Sequence, residues 1–193
     1  MSLTYENLLR AALSNATRGM PLEQAAFTID SLSVADTLFD EVSQSVCEEA
    51  AANEYKRSLL RRTKTITLAA GQATLTDDVL THYMADAVLY DPANLNKKYA
   101  WRDYPDFERR GDKRLGVFSL QGGDTLVEIE PGANFTVPLV ATGARTLIIP
   151  CVVVKPAAAT DPVDAPNEIL SDLTEALSNA LRGMTSKEAG QTA

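Results

Sequence analysis

One histidine and two cysteines are all that 193 residues offer for imidazole or thiol chemistry. No Cys-x-x-Cys pair occurs, so the common zinc and dithiol arrangements are excluded. The Gly-x-Ser-x-Gly turn of a hydrolase elbow is absent, as is a phosphate-binding glycine loop closed by Lys-Ser/Thr. Basic residues are also in short supply: 18 Lys and Arg face 26 Asp and Glu, a net charge of −8 with a pI near 4.7. A surface of that sign repels phosphate, which argues against whole-surface binding to nucleic acid and leaves room only for a local basic patch. No run approaches the ~18–20 apolar residues that cross a bilayer, which predicts no membrane partner. The start, MSLTYENLLR, lacks a basic segment followed by an apolar one and predicts no export. Cys47 and Cys151, set among small and apolar neighbours, then read as free buried thiols, and the triplets Asn15-Ala16-Thr17 and Asn134-Phe135-Thr136 as chance glycosylation matches.

What is present begins with a repeat. ALSNATRGM (12–20) and ALSNALRGM (176–184) agree at eight of nine positions. Both read as the end of an amphipathic helix. Residues 3–18 carry Leu9, Leu13 and Ala16 on one face, with Gly19 and Pro21 as stop signals. After Pro166, the residues Ile169, Leu170, Leu173, Ala176, Leu177, Ala180, Leu181 and Met184 form a continuous stripe, with Gly183 as its stop and a flexible tail over 185–193. Alanine favours helix and glycine favours the stop, so similar endings arise by convergence as readily as by duplication.

Between them, Ser33-Val34-Ala35-Asp36 resembles a capping box. It opens a stripe of Val34, Leu38, Val42, Val46 and Ala50, predicting one helix as far as Leu59 or Leu60. Its charge is polarised: eight acids and no base lie between Arg18 and Lys56, followed by Lys56, Arg57, Arg61, Arg62 and Lys64. That order suits the helix dipole, and the basic end could also face an acidic partner or nucleic acid. From Thr63 the period becomes two. A hairpin is predicted around Ala70-Gly71-Gln72, with strands near 83–90, 115–120, 124–130, 134–141 and 144–154 and a short helix near Asp103–Arg110. Lys155–Pro166, with three prolines and four alanines, reads as a stiff connector.

The expected fold is therefore α+β. The N- and C-terminal helices (1–62 and 166–184) pack as one helical layer, an antiparallel β-sandwich-like domain (63–154) is inserted between them, and 155–165 is a linker.

Candidate chemistry is sparse. Asp77, Asp78, His82 and Asp86 could be drawn as a metal site, but they lie where a turn passes into a strand and read as surface residues, so no metal and no cofactor are expected. One cluster stands out, KKYAWRDYPDFERR (97–110). Six of the twelve aromatics fall between Tyr83 and Phe107, interleaved with bases. Aromatic and arginine side chains dominate buried protein contacts, and they also stack single-stranded bases. The candidate partner-binding residues are Tyr99, Trp101, Arg102, Tyr104 and Arg110, with Arg57, Arg61 and Arg62 at the helix end. The plainer reading is that the aromatics fill a β core while the charges stay solvated.

The order of elements carries a resemblance. Helices lead to Gly71-Gln72-Ala73-Thr74-Leu75-Thr76-Asp77-Asp78-Val79-Leu80. A β segment then ends in Leu126-Val127-Glu128-Ile129-Glu130-Pro131-Gly132, and the chain returns through Leu147-Ile148-Ile149-Pro150 to Pro166-Asn167-Glu168-Ile169 and an Ala-Leu helix. Over residues 5 to 184 this resembles the head-to-tail connector (adaptor) proteins of tailed bacteriophages. Thr76 stands where a proline is expected, and the β insertion is longer. The resemblance implies a non-enzymatic virion protein without cofactor, assembled in the host cytoplasm. It implies a ring, commonly of twelve copies, that binds portal and tail proteins while DNA passes through without specific binding. The alternatives are another virion ring protein such as a tail terminator, a nucleic-acid-binding module, and a carboxylate-dependent hydrolase.

Overall fold

The computed structural model describes residues 3–18, 31–103, 116–129 and 142–189. The chain divides into two compact units, 1–60 with 152–193, and 61–151.

The first unit is helical. Helix α1 (Tyr5–Thr17) starts where the Thr4 side chain accepts from the Asn7 N–H, and it buries Tyr5, Leu8, Leu9, Ala12 and Ala16 along one face. Helix α2 (Ser31–Ala52) begins before the expected cap, so Ser33 is an interior residue whose carbonyl accepts from the Thr37 hydroxyl. The last two residues of the expected stripe, Val46 and Ala50, are buried, but towards the start of α2 the buried face shifts to Ala35, Phe39, Ser43 and Cys47, and Val34, Leu38 and Val42 are only partly covered. A strict period of four drifts off a 3.6-residue helix, and the small and polar residues Ala35 and Ser43 escape a search for bulky ones.

The expected continuous helix to Leu60 is broken. Asn53 leaves helical geometry at ψ 124° and caps a separate helix, α3 (Glu54–Leu59), by accepting from the Lys56 N–H at 3.1 Å. Helix α4 (Asn167–Ala189) packs on α1 and α2. It runs through Gly183, against the expected stop there and the expected flexible tail from 185. A glycine ends a helix only when the chain turns left-handed at it; no proline follows, and Lys187-Glu188-Ala189 favour helix. Residues 190–193 lie outside the described ones.

The segment 152–166 is strapped to this unit. The Tyr5 N–H donates to the Asp161 carbonyl and the Glu6 N–H to the Ala159 carbonyl, both at 2.9 Å. The buried Ser43 hydroxyl donates to the Val153 carbonyl at 2.6 Å. Asp36 accepts from both Tyr5 and Lys155, at 2.8 and 2.6 Å, and the ammonium holds its carboxyl below the ordinary range.

The second unit is one mixed sheet. Its strands are β1 (Arg61–Leu68), β2 (Gln72–Thr74), β3 (Val88–Asp91), β4 (Asn94–Trp101), β5 (Gly116–Gln121), β6 (Thr125–Ile129) and β7 (Gly143–Pro150), in the order β1-β7-β3-β4-β5-β6-β2. The α+β class stands, whereas the sandwich does not: one barrel-like sheet takes the place of two packed ones. Nor is the sheet wholly antiparallel, because β4 and β5 run parallel. The stretch expected as a strand near 83–90 is a 3-10 helix (Thr81–Asp86) followed by β3, and β4 was not foreseen. β7 stops at Pro150, short of the expected 154. The expected strand 134–141 lies outside the described residues, as does the expected helix near Asp103–Arg110 beyond Asp103 itself.

The β1–β2 hairpin turns at Ala70 and Gly71, both left-handed at φ 53° and 75°, a two-residue turn that matches the twist of the strands. Inward positions, among them Leu68, Leu89, Phe118, Leu126, Leu147 and Ile149, make the core of this unit.

Candidate functional site

The described aromatic and basic candidates differ in burial and in partners. Tyr99 is 5 % exposed, an inward residue of β4 within the core. The Arg145 guanidinium carbon lies 5.5 Å above its ring, and Arg145 in turn grips Glu128 with two bonds of 2.9 and 3.0 Å. Trp101 is half-buried, edge-on to Phe118 with ring centres 5.5 Å apart. For these two aromatics the core-filling role is the one the geometry displays. Arg102 is exposed, donating its backbone N–H to the Phe118 carbonyl and its guanidinium to the Trp101 carbonyl. Tyr104 and Arg110 lie outside the described residues.

The basic run belongs to both units. Lys56 pairs with Asp172 at 2.6 Å, which raises its pKa, and Arg57 donates to the Ala51 carbonyl at 3.0 Å. Both belong to the helical unit, whereas Arg61 and Arg62 open β1 in the sheet unit. Strand alternation sends Arg61, Thr63, Thr65 and Thr67 to an exposed face, and Arg62, Lys64, Ile66 and Leu68 to the inward one. Arg61 donates to the Asp86 carbonyl at 3.0 Å, and Lys64 pairs with Asp78. Burial alone would push the Asp78 carboxyl up, but the bonds from Lys64 and Thr76 outweigh it and hold it below the ordinary carboxylate value.

His82 is exposed and Asp78 is committed to Lys64; among the described residues no three His, Cys, Asp or Glu side chains converge as a metal site. Concave features are open. In the helical unit a cleft of about 430 Å³ runs between α2 and α4, lined by Glu49, Asn53, Lys56, Asp172 and Glu175.

The sequence reading passed over a second groove, of about 250 Å³, in the sheet unit. Strands β1 and β2 are the two ends of the strand order, and they are joined by reciprocal bonds between Ala69 and Gln72 of 2.9 and 3.1 Å. Beyond that pair they diverge. Ile66, Leu75, Val79 and Leu147 line the gap, along with Lys64 and a series of threonines. The signal was present in the alternating threonines of RRTKTITL, but that β1 ends the sheet is not local information.

No family model matches the chain, and no curated protein matches it significantly.

Proposed function

We propose that the chain is a structural, non-enzymatic virion protein that forms a homo-oligomeric ring joining the portal to the tail, around a channel through which DNA passes. The observation that carries this reading is the architecture of element order. The two ends of the chain supply α1 and α4 to one helical unit, and the strand-rich residues 61–151 are inserted between them. That is the arrangement expected of the connector proteins that the sequence resembles. Exposed acids on α2, namely Asp40, Glu41, Glu48 and Glu49, suit a surface along which DNA slides without sticking, because like charges repel within a Debye length.

Native mass determination of the purified chain, alone and mixed with portal protein, tests the proposal. A defined ring or a portal complex is the expected result, and a persistent monomer without affinity for virion proteins overturns it. Neutralising the exposed acids of α2 is expected to slow DNA passage in assembled particles.

A further inference from the structure

We propose that the edge of β1 left unpaired among the described residues is a docking site for an extended peptide strand of a partner protein, which adds to the sheet through main-chain hydrogen bonds. The inference is independent of the ring reading and stands on the direction of backbone groups. Ala69 exchanges both its bonds with Gln72, so its N–H and C=O point to the β2 side. Successive residues of a strand alternate in this direction, so Thr67, Thr65, Thr63 and Arg61 point the same way, away from β7. A second observation agrees. Pro150, opposite Arg61, offers its carbonyl to the Leu80 N–H and has no N–H of its own, so the Arg61–Pro150 pair is not hydrogen-bonded.

Thr65 and Thr67 line the gap where β1 and β2 separate, and the side chains of Thr63, Thr65 and Thr67 are exposed. Natural edges are guarded by proline, bulges or charged side chains. β1 pairs with β7 in unbroken register and contains no proline; its inward Lys64 is neutralised by Asp78, which leaves Arg61 as the charge on the outer face.

The edge also specifies its occupant. An added strand lays alternate side chains beside Arg61, Thr63, Thr65 and Thr67 on the outer face, where a carboxylate opposite Arg61 and threonines opposite the threonines are the favourable cross-strand pairs. Arg61 donates to a neutral carbonyl, so its charge remains available for that carboxylate. The other side chains fall on the groove, where Lys64 is paired with Asp78 and Ile66, Leu75, Val79 and Leu147 form an apolar wall beside the threonines, which calls for apolar residues. The partner segment is therefore extended, apolar at alternate positions, and acidic at the end that meets Arg61.

The test uses the full-length protein and the synthetic peptide Thr-Val-Thr-Val-Thr-Val-Glu, acetylated and amidated, aligned antiparallel to β1. Saturable binding is expected, with slowed amide exchange at Thr63, Thr65 and Thr67 and no change at Arg62, Lys64 and Ile66. Thr65→Pro removes an N–H that faces the gap and spares the β7 ladder, so binding is lost while the melting temperature is kept. If that variant fails to fold, the same peptide N-methylated along its pairing edge supplies the test on the native chain, and its binding is expected to vanish. Arg61→Glu is expected to weaken binding by up to about fivefold, with recovery when the peptide ends in lysine. No saturable binding up to about 1 mM peptide, or equal binding by Thr65→Pro or by the N-methylated peptide, overturns the proposal. Self-association of the wild type that Thr65→Pro abolishes overturns the assignment to a foreign partner, because a second copy then takes the edge.

Discussion

Arg145 and Glu128 form a two-bond ion pair in the interior of the sheet unit although their strands, β7 and β6, are not neighbours in the sheet. Both side chains are almost fully buried, at 5 and 0 % exposure. Burial alone would lower the arginine pKa, but the carboxylate raises it further than burial lowers it. Two charges withdrawn from water are tolerable only together. Glu128→Leu alone should cost about 3–5 kcal/mol, read as a lower urea midpoint. Glu128→Leu with Arg145→Met should recover most of that loss. Equal loss in the single and double variants would assign the cost to shape rather than to charge.

Acid should loosen the seam between β1 and the turn after β2. The Asp78 carboxyl is held below its ordinary value of 3.8, so its contribution is present above that pH and is lost as pH falls through the still lower value of the folded state. In Asp78→Asn the Lys64 pair is gone at every pH, and the slope of stability against pH below 4 should flatten. Urea titrations at pH 6 and pH 3 of both proteins measure the difference, about 1 kcal/mol at pH 6.

The turn residue Ala70 stands at φ 53°, where a Cβ costs about 1–2 kcal/mol. Relief of that strain should outweigh the entropy that glycine adds to the unfolded chain, so Ala70→Gly is expected to stabilise by up to about 1 kcal/mol. A β-branched Ala70→Val should destabilise by about 1 kcal/mol or more. Thermal melts of the two variants check the sign.

Asn53 holds the break between α2 and α3. Its side chain caps the Lys56 N–H, and Asn53→Ala should cost about 1 kcal/mol, with Asn53→Asp close to neutral. Denaturant melts followed by far-ultraviolet circular dichroism distinguish a lost cap from fusion of the two helices, which would raise the helical signal.

The repeated nonapeptide shows how nearly identical words acquire different roles. In α1 it buries Ala12 and Ala16, while Ser14 is exposed; in α4 it buries Leu177, Ser178 and Leu181. The second copy's serine donates to the first copy's Ala12 carbonyl at 3.0 Å, and its Arg182 reaches the Asn15 and Ala16 carbonyls at the end of α1. The copies pack against each other through different faces, so the repeat creates no local two-fold relation.

The helices and several strands were legible because their signals are local: a stripe at 3.6 residues, alternation at two, and the Ala70-Gly71 turn. Boundaries failed where one side chain decided between two backbone paths, as at Asn53 and Gly183. β4 failed because its opening stretch, Asn94-Leu95-Asn96-Lys97-Lys98, carries little alternation in sequence; among its described side chains Tyr99 and Trp101 pack on the core. The contact candidates met the same limit, since Tyr99 reads alike whether it fills a core or meets a partner.

By itself, the sequence determined where the long helices α1, α2 and α4 lie, that strands fill most of the middle, and that imidazole and thiol groups are scarce, since those properties belong to neighbouring residues or to composition. Tertiary structure alone decided that Arg145 meets Glu128, that Tyr99 is enclosed, and that β1 ends the sheet with threonine main-chain groups facing a gap. Each of these depends on which distant strands lie side by side, and strand order is settled by the burial of the whole inward face rather than by any one segment.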